Sequence, residues 1–129
     1  EQLAKELDVK DIHFIGNQDH SQMVQLFNLG DVSVLPSNFE PFGLVAVESL
    51  ACGTPVIAGN VGGFKNIVNE DVGLKIEPGD HEKLAKYVQI MLENDFKTKN
   101  QNQILDYVRR KYSWKNTVTH IKEIYESSI

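Results

Sequence analysis

Residues 37–59 read SNFEPFGLVAVESLACGTPVIAG, and this segment holds the clearest fold signal in the chain. An apolar run, VSVLP at 32–36, leads into it, and a second run, PVIAG at 55–59, closes it. The small and apolar residues from 43 to 52 between the two runs are typical of a short buried helix. A strand, a helix and a second strand in this order predict a βα unit with parallel strands.

The same alternation continues on both sides of this unit. Further strands are predicted at 12–16 (IHFIG) and 73–77 (GLKIE), and the strands at 32–36 and 55–59 are apolar enough to be buried on both faces. Helices are predicted at 21–29, 43–52, 64–69, 81–94, 99–111 and from Ser113 through Tyr125, with Trp114 in the core. The fold class that follows is α/β.

Composition limits the partners and the setting. The length of 129 residues predicts a single domain spanning 1–129, and the net charge of −5 argues against a nucleic-acid partner. One cysteine, Cys52, rules out an internal disulfide and favours a cytoplasmic location, and no apolar run indicates membrane association. The missing initial Met and an interrupted helical pattern at Leu3 and Leu7 predict a piece of a longer protein.

The loop after Pro36 has the features of a ligand site. Ligands of open α/β sheets bind where strands end and helices begin. The first amides of the helix lack partners within it and carry the positive end of its dipole, so we expect them to hold phosphate or sugar oxygens. Gly43 lets a ligand approach the backbone, and Glu48 lies about one turn into the helix, within reach of ligand hydroxyls. The amides in question belong to Phe42, Gly43, Leu44 and Val45.

Glu40 and Glu48 are separated by seven residues in EPFGLVAVE, which ACGTPVIA, VGG and GLKIEPGD follow. This order resembles the donor-site signature of group-one retaining glycosyltransferases, such as bacterial sucrose-phosphate synthases and related glucosyl- and mannosyltransferases. The resemblance spans nearly the full chain. It implies a Rossmann-like parallel sheet with flanking helices, the C-terminal nucleotide-sugar-binding half of a GT-B fold truncated at its N-terminal side.

The resemblance also implies roles for individual residues. It places Glu40 on the hydroxyls of the donor sugar as the catalytic residue, Glu48 on the ribose, and the amides of Phe42, Gly43, Leu44 and Val45 on sugar and diphosphate. Base or loop contacts with the donor are implied for Gly16, Asn17, Gly62 and Gly63. Asn66 stands where the family often has an acid. Because the motif contacts sugar and ribose rather than the base, the identity of the donor stays open; we expect UDP-glucose first and GDP-mannose second, with no cofactor and no metal.

Two features that the family uses for binding and transfer have no counterpart in this sequence. In the family, an Arg and a Lys earlier in the same half complete the diphosphate clamp, and an N-terminal domain binds the acceptor. We therefore expect the full protein to transfer a hexosyl group with retention, by front-side displacement or through a covalent intermediate. We expect the chain alone to be inactive.

The residues by themselves leave other interpretations open. Glu40 can be a loop acid and Glu48 a surface residue, and both the Gly16-Asn17 and Gly62-Gly63 pairs can be plain turns. A nucleotide-sugar epimerase of the same overall fold would also bind a donor here. A non-catalytic flavodoxin-like module, such as a phospho-receiver, needs an aspartate at the carboxyl end of a strand, where this sequence has Gly-Asn or Pro-Ser.

Overall fold

Strands and helices alternate along the chain in the computed structural model, which describes residues 1–128. Within these residues, three strands form a parallel sheet in the order β1-β2-β3. The elements are α1 Gln2–Glu6, α2 His20–Leu29, β1 Ser33–Leu35, α3 Leu44–Ala51, β2 Val56–Gly59, α4 Phe64–Ile67, β3 Gly73–Ile76, α5 His81–Glu93, α6 Phe96–Tyr112 and α7 Trp114–Ser127. The predicted α/β class with a parallel sheet and flanking helices is confirmed.

The central strand β2 organises the core. Val56 of β2 pairs with Ser33 of β1 on one side and with Gly73 of β3 on the other. Side chains of successive strand residues point to opposite faces, and those of Val56 and Ile57 accordingly enter different apolar clusters. One cluster packs against α3, α4 and α6, and the other packs against α5. Helices therefore cover both faces of β2.

The burial predicted for two strands is confirmed for one of them. All four residues of β2 are buried. In β1, however, Val34 is 38% exposed, so the prediction of burial on both faces is wrong for this strand. The reason is that α5 packs mainly against β2 and β3 and leaves that face of the edge strand open.

Two further predictions are wrong. Residues 12–16 form no strand, and the side chains of Ile12, Phe14 and Ile15 are about half exposed. A strand needs a neighbour to pair its amides and carbonyls, and this segment pairs with none within residues 1–128. Trp114, expected in the core, is 84% exposed at the start of α7.

Among the described residues, every helix is too short or too polar to cross a bilayer.

Candidate functional site

The candidate site is the loop from residue 36 to residue 43, which joins the carboxyl end of β1 to the amino end of α3. Gly43 is the last residue before α3 and has a left-handed backbone with φ of 81°. A Cβ at this position would lie 2.7 Å from Cδ1 of Ile67 and 2.9 Å from Cδ1 of Phe64, both in α4. Glycine is therefore needed here for conformation and for space, and α4 packs directly against the loop.

The carboxylate of Glu40 already occupies part of the predicted anion site. Its Oε1 accepts hydrogen bonds from the backbone amides of Gly43, at 2.9 Å, and Phe42, at 3.3 Å. The carboxylate is attracted to these amides because they lie at the positive end of α3. A contact of the same amides with donor oxygens stays a prediction. The amides of Leu44 and Val45 donate to no acceptor among residues 1–128.

Glu48 lies on the exposed side of α3. Its side chain makes no hydrogen bond or ion pair within the described part of the chain. The next residue, Ser49, is fully buried, and its hydroxyl lies 2.7 Å from Ser33 Oγ and 3.0 Å from the Thr54 carbonyl oxygen. These contacts fix the rotation of α3 and leave the Glu48 carboxylate free to meet a ligand.

The glycine pair at 62 and 63 packs against the Glu40 loop. The amide of Gly63 donates to the Glu40 carbonyl oxygen at 2.9 Å. A Cβ at Gly62 would collide with that same carbonyl, and a Cβ at Gly63 would collide with the Phe42 carbonyl. The pair therefore packs tightly against the loop, and a direct contact of Gly62 or Gly63 with the donor stays a prediction.

Gly16 and Asn17 lie at the end of the segment that was expected to form the first strand. Both are exposed, at the end of the extended segment before α2, and no hydrogen bond links them to the Glu40 loop within residues 1–128. Gly16 has a left-handed backbone with φ of 65°, and a Cβ there would meet no neighbour. Its geometry matches a turn, and a contact with the base stays a prediction.

An open apolar groove beside the loop was missed by the sequence reasoning. It has a volume of about 620 Å³ and runs between the Glu40 loop and the start of α7. Phe42 and Trp114, at its two edges, are 77% and 84% exposed. The residues lining it include Pro41, Phe42, Leu44, Asn66, Tyr112 and Trp114. The sequence pattern predicted Trp114 to be in the core, so it did not indicate a groove beside this residue.

No group of three or more His, Cys, Asp or Glu side chains within residues 1–128 is arranged to hold a metal ion. The single thiol, Cys52 at the end of α3, is partly buried, and this burial raises its pKa above the ordinary value. A raised pKa disfavours the nucleophilic thiolate. The chemistry of the site therefore rests on two carboxylates and the amides of a helix start.

Comparison with known proteins identifies the family. The model of the family described as glycosyl transferases group 1 matches residues 1–111. The chain belongs to this family. Among its curated relatives, glycogen synthase of Mycobacterium tuberculosis is 30% identical over 127 residues, which cover 97% of this chain and 31% of that protein. The family resemblance carried by EPFGLVAVE is confirmed.

Solved structures of glycosyltransferases share the fold. Sucrose-phosphate synthase from Thermosynechococcus elongatus is 32% identical with a TM-score of 0.84, covering 98% of this chain and 32% of that one. HepE of Anabaena in complex with UDP is 27% identical with a TM-score of 0.85, covering 98% of this chain and 35% of that one. The present chain thus spans about a third of the length of each of these three proteins.

Proposed function

We propose that this chain is the donor-binding domain of a retaining glycosyltransferase that moves a hexosyl group from a nucleotide sugar to an acceptor. The observation that carries the proposal is the pairing of Glu40 with the amino end of α3 at the carboxyl edge of the sheet. Open α/β sheets bind ligands at this edge. HepE structures determined with UDP, with UDP and glucose, and with UDP-glucose support a nucleotide-sugar ligand for this fold.

The first turn of α3 is suited to the diphosphate. Its Leu44 and Val45 amides are unpaired among the described residues, and the helix dipole places partial positive charge beside them. The amides of Phe42 and Gly43 become available when the Glu40 side chain turns away. The same rotation carries the carboxylate toward the solvent side of the loop, where it can accept hydrogen bonds from sugar hydroxyls. One movement then both opens the anion site and recruits Glu40 to the sugar.

Glu48 is proposed to accept hydrogen bonds from the ribose hydroxyls. It is exposed and unpaired, and it lies on the helix whose amino end faces the diphosphate. A charged acceptor forms hydrogen bonds with hydroxyls that are about twice as strong as neutral ones. The carboxylates of Glu40 and Glu48 accept hydrogen bonds from hydroxyl groups and do not contact the base. They therefore favour a nucleoside diphosphate sugar without selecting uracil or guanine. We place UDP-glucose first, in line with the HepE complexes, and GDP-mannose second.

The proposed reaction needs more than this chain contains. Departure of the nucleoside diphosphate builds negative charge, which amides and a helix dipole stabilise only in part. The chain spans about a third of its relatives, and we propose that cations and an acceptor-binding domain elsewhere in the protein complete the site. Retention of configuration, metal independence, inactivity of the isolated chain and a cytoplasmic location belong to the same proposal.

Titration calorimetry and amide NMR test the donor site. We expect UDP and UDP-glucose to bind and to shift the Leu44 and Val45 amide signals. Replacing Glu48 with alanine should weaken both ligands by about 10- to 100-fold, the loss of charged hydrogen bonds worth about 1.5–3 kcal/mol. The matched control is Glu82→Ala, an exposed glutamate in the first turn of α5.

The outcomes separate the alternatives. If UDP binds equally to wild type and Glu48→Ala, Glu48 does not contact the ligand. If no UDP or GDP sugar gives a response, the proposed donor site is wrong. With the full-length protein, transfer of the sugar to an acceptor with unchanged anomeric configuration is the expected result. Epimerisation of the sugar without transfer would contradict the proposal and support the epimerase alternative.

A further inference from the structure

We infer that Tyr107 and Lys111 of α6 are positioning residues for donor binding, because they clamp the carboxyl end of α4 and thereby fix the Glu40 loop. The inference rests on the proposed function for its ligand and on contacts within the chain for its mechanism. Neither side chain needs to touch the donor. Both act through α4, the short helix between the glycine pair and β3.

The carboxyl end of α4 is held by side chains from elsewhere in the fold. The last carbonyls of a helix have no partners within it, and α4 has only four residues. The Tyr107 hydroxyl donates to the Ile67 carbonyl at 2.7 Å, and Lys111 Nζ donates to the Asn66 carbonyl at 2.8 Å. A helix this short is not stable by itself. These contacts across 40 and 45 residues of chain therefore act together with the buried side chains of Phe64 and Ile67 to fix where α4 lies.

Lys111 is itself fixed in place. Its Nζ donates to the Tyr107 hydroxyl at 3.1 Å and lies 5.2 Å and 5.6 Å from the ring centroids of Tyr107 and Tyr112. The two rings meet edge to face at 6.1 Å. The hydrogen bond with Tyr107 raises the pKa of Lys111 above its ordinary value. The ammonium therefore stays charged at the negative end of α4, where a cation is stabilising.

The other end of α4 transmits this position to the Glu40 loop. Gly63, directly before the helix, donates its amide hydrogen to the Glu40 carbonyl oxygen at 2.9 Å. The side chains of Phe64 and Ile67 fill the space where Gly43 lacks a Cβ. A shift of α4 would therefore move the backbone of both Glu40 and Gly43. Glu48 would be affected less, because the buried contacts of Ser49 hold α3 separately.

The decisive experiment compares Tyr107→Phe and Lys111→Met with two controls on α7. Tyr125→Phe removes an exposed hydroxyl, and Lys122→Met removes an exposed ammonium that pairs with Glu126. Each clamp variant should weaken UDP-glucose about 3- to 10-fold, the effect of one hydrogen bond, and should weaken UDP, which lacks the sugar contact of Glu40, by a smaller factor. Both controls should leave the two affinities unchanged. Lys111→Arg, which keeps the cation, should restore most of the UDP-glucose affinity.

A ligand-independent measurement separates this inference from the proposed function. Hydrogen exchange of the Gly63 amide should be at least about threefold faster in Tyr107→Phe than in wild type. The Lys83 amide of α5 should not change. Faster exchange in a protein that binds no nucleotide would sustain the clamp and reject the proposed function. Unchanged Gly63 exchange, or equal loss of UDP and UDP-glucose affinity, would overturn the clamp.

Discussion

Replacing Glu40 with alanine tests the double role of this carboxylate as acceptor for the loop amides and as sugar ligand. In the free protein its Oε1 accepts from the Gly43 amide at 2.9 Å and from the Phe42 amide at 3.3 Å. The longer contact is weak by its distance, and water can replace a carboxylate in a partly exposed loop. We therefore expect the free energy of unfolding to fall by about 1 kcal/mol, the net contribution of one hydrogen bond. In a domain of this size that loss lowers the melting temperature by about 4 °C.

The same substitution should change the affinities for UDP and UDP-glucose in opposite directions. Without the carboxylate, the amides of Phe42 and Gly43 are free and no like charge faces the diphosphate. Unit charges about 4 Å apart repel by about 4 kcal/mol at an effective dielectric of 20. Solvent reduces this to about 1 kcal/mol in an exposed loop, so UDP should bind about fivefold more tightly. UDP-glucose gains as much but loses charged hydrogen bonds worth about 1.5–3 kcal/mol, and binds more weakly.

The informative quantity is the ratio of the two dissociation constants, measured by calorimetry on wild type, Glu40→Ala and Glu48→Ala. The preference for UDP-glucose over UDP should fall at least about tenfold in Glu40→Ala. It should stay constant in Glu48→Ala, because both ligands carry the ribose. If Glu40→Ala weakens UDP and UDP-glucose by the same factor, Glu40 makes no separate contact with the sugar. The proposal that its carboxylate moves from the loop amides to the sugar hydroxyls then fails.

Three further predictions concern the framework of the site. Thr54→Val should destabilise the fold by about 1–3 kcal/mol in urea unfolding because it leaves the buried Phe27 carbonyl without its donor; Thr54→Ser keeps the hydroxyl and should lose less. Gly63→Ala should cost about 1–3 kcal/mol from the clash with the Phe42 carbonyl, and an unchanged melting temperature would show that the loop adapts. The Gln22 amide lowers the pKa of Asp19, so this cap stabilises α2 above the ordinary carboxyl pKa and is lost as pH falls through the lowered value. Asp19→Asn should flatten the acid limb of the stability curve measured by circular dichroism.

The sequence predicted correctly those elements that are defined by nearby residues in the chain. β2, α3 and α5 lie within a few residues of their expected bounds because the apolar pattern and the caps that define them are local. The strand expected at 12–16 and the buried position expected for Trp114 failed for a different reason. Pairing and burial depend on what lies opposite, and no described residue supplies a partner strand to the first or a cover to the second. A pattern of apolar residues indicates that one face of an element can be buried. It does not indicate which other element covers that face.

The site divides in the same way between backbone and side chains. Gly43, Gly62 and Gly63 are required by positive φ or by the lack of room for a Cβ, so the shape of the loop follows from residue types that the sequence displays directly. The hydrogen bonds of Glu40 follow from a side-chain rotation, which no spacing rule encodes. That rotation decides whether the amides of Phe42 and Gly43 face a ligand or their own carboxylate. Under the proposed function, the motif specifies where a donor binds, and the position of the Glu40 carboxylate controls whether the Phe42 and Gly43 amides are accessible to it.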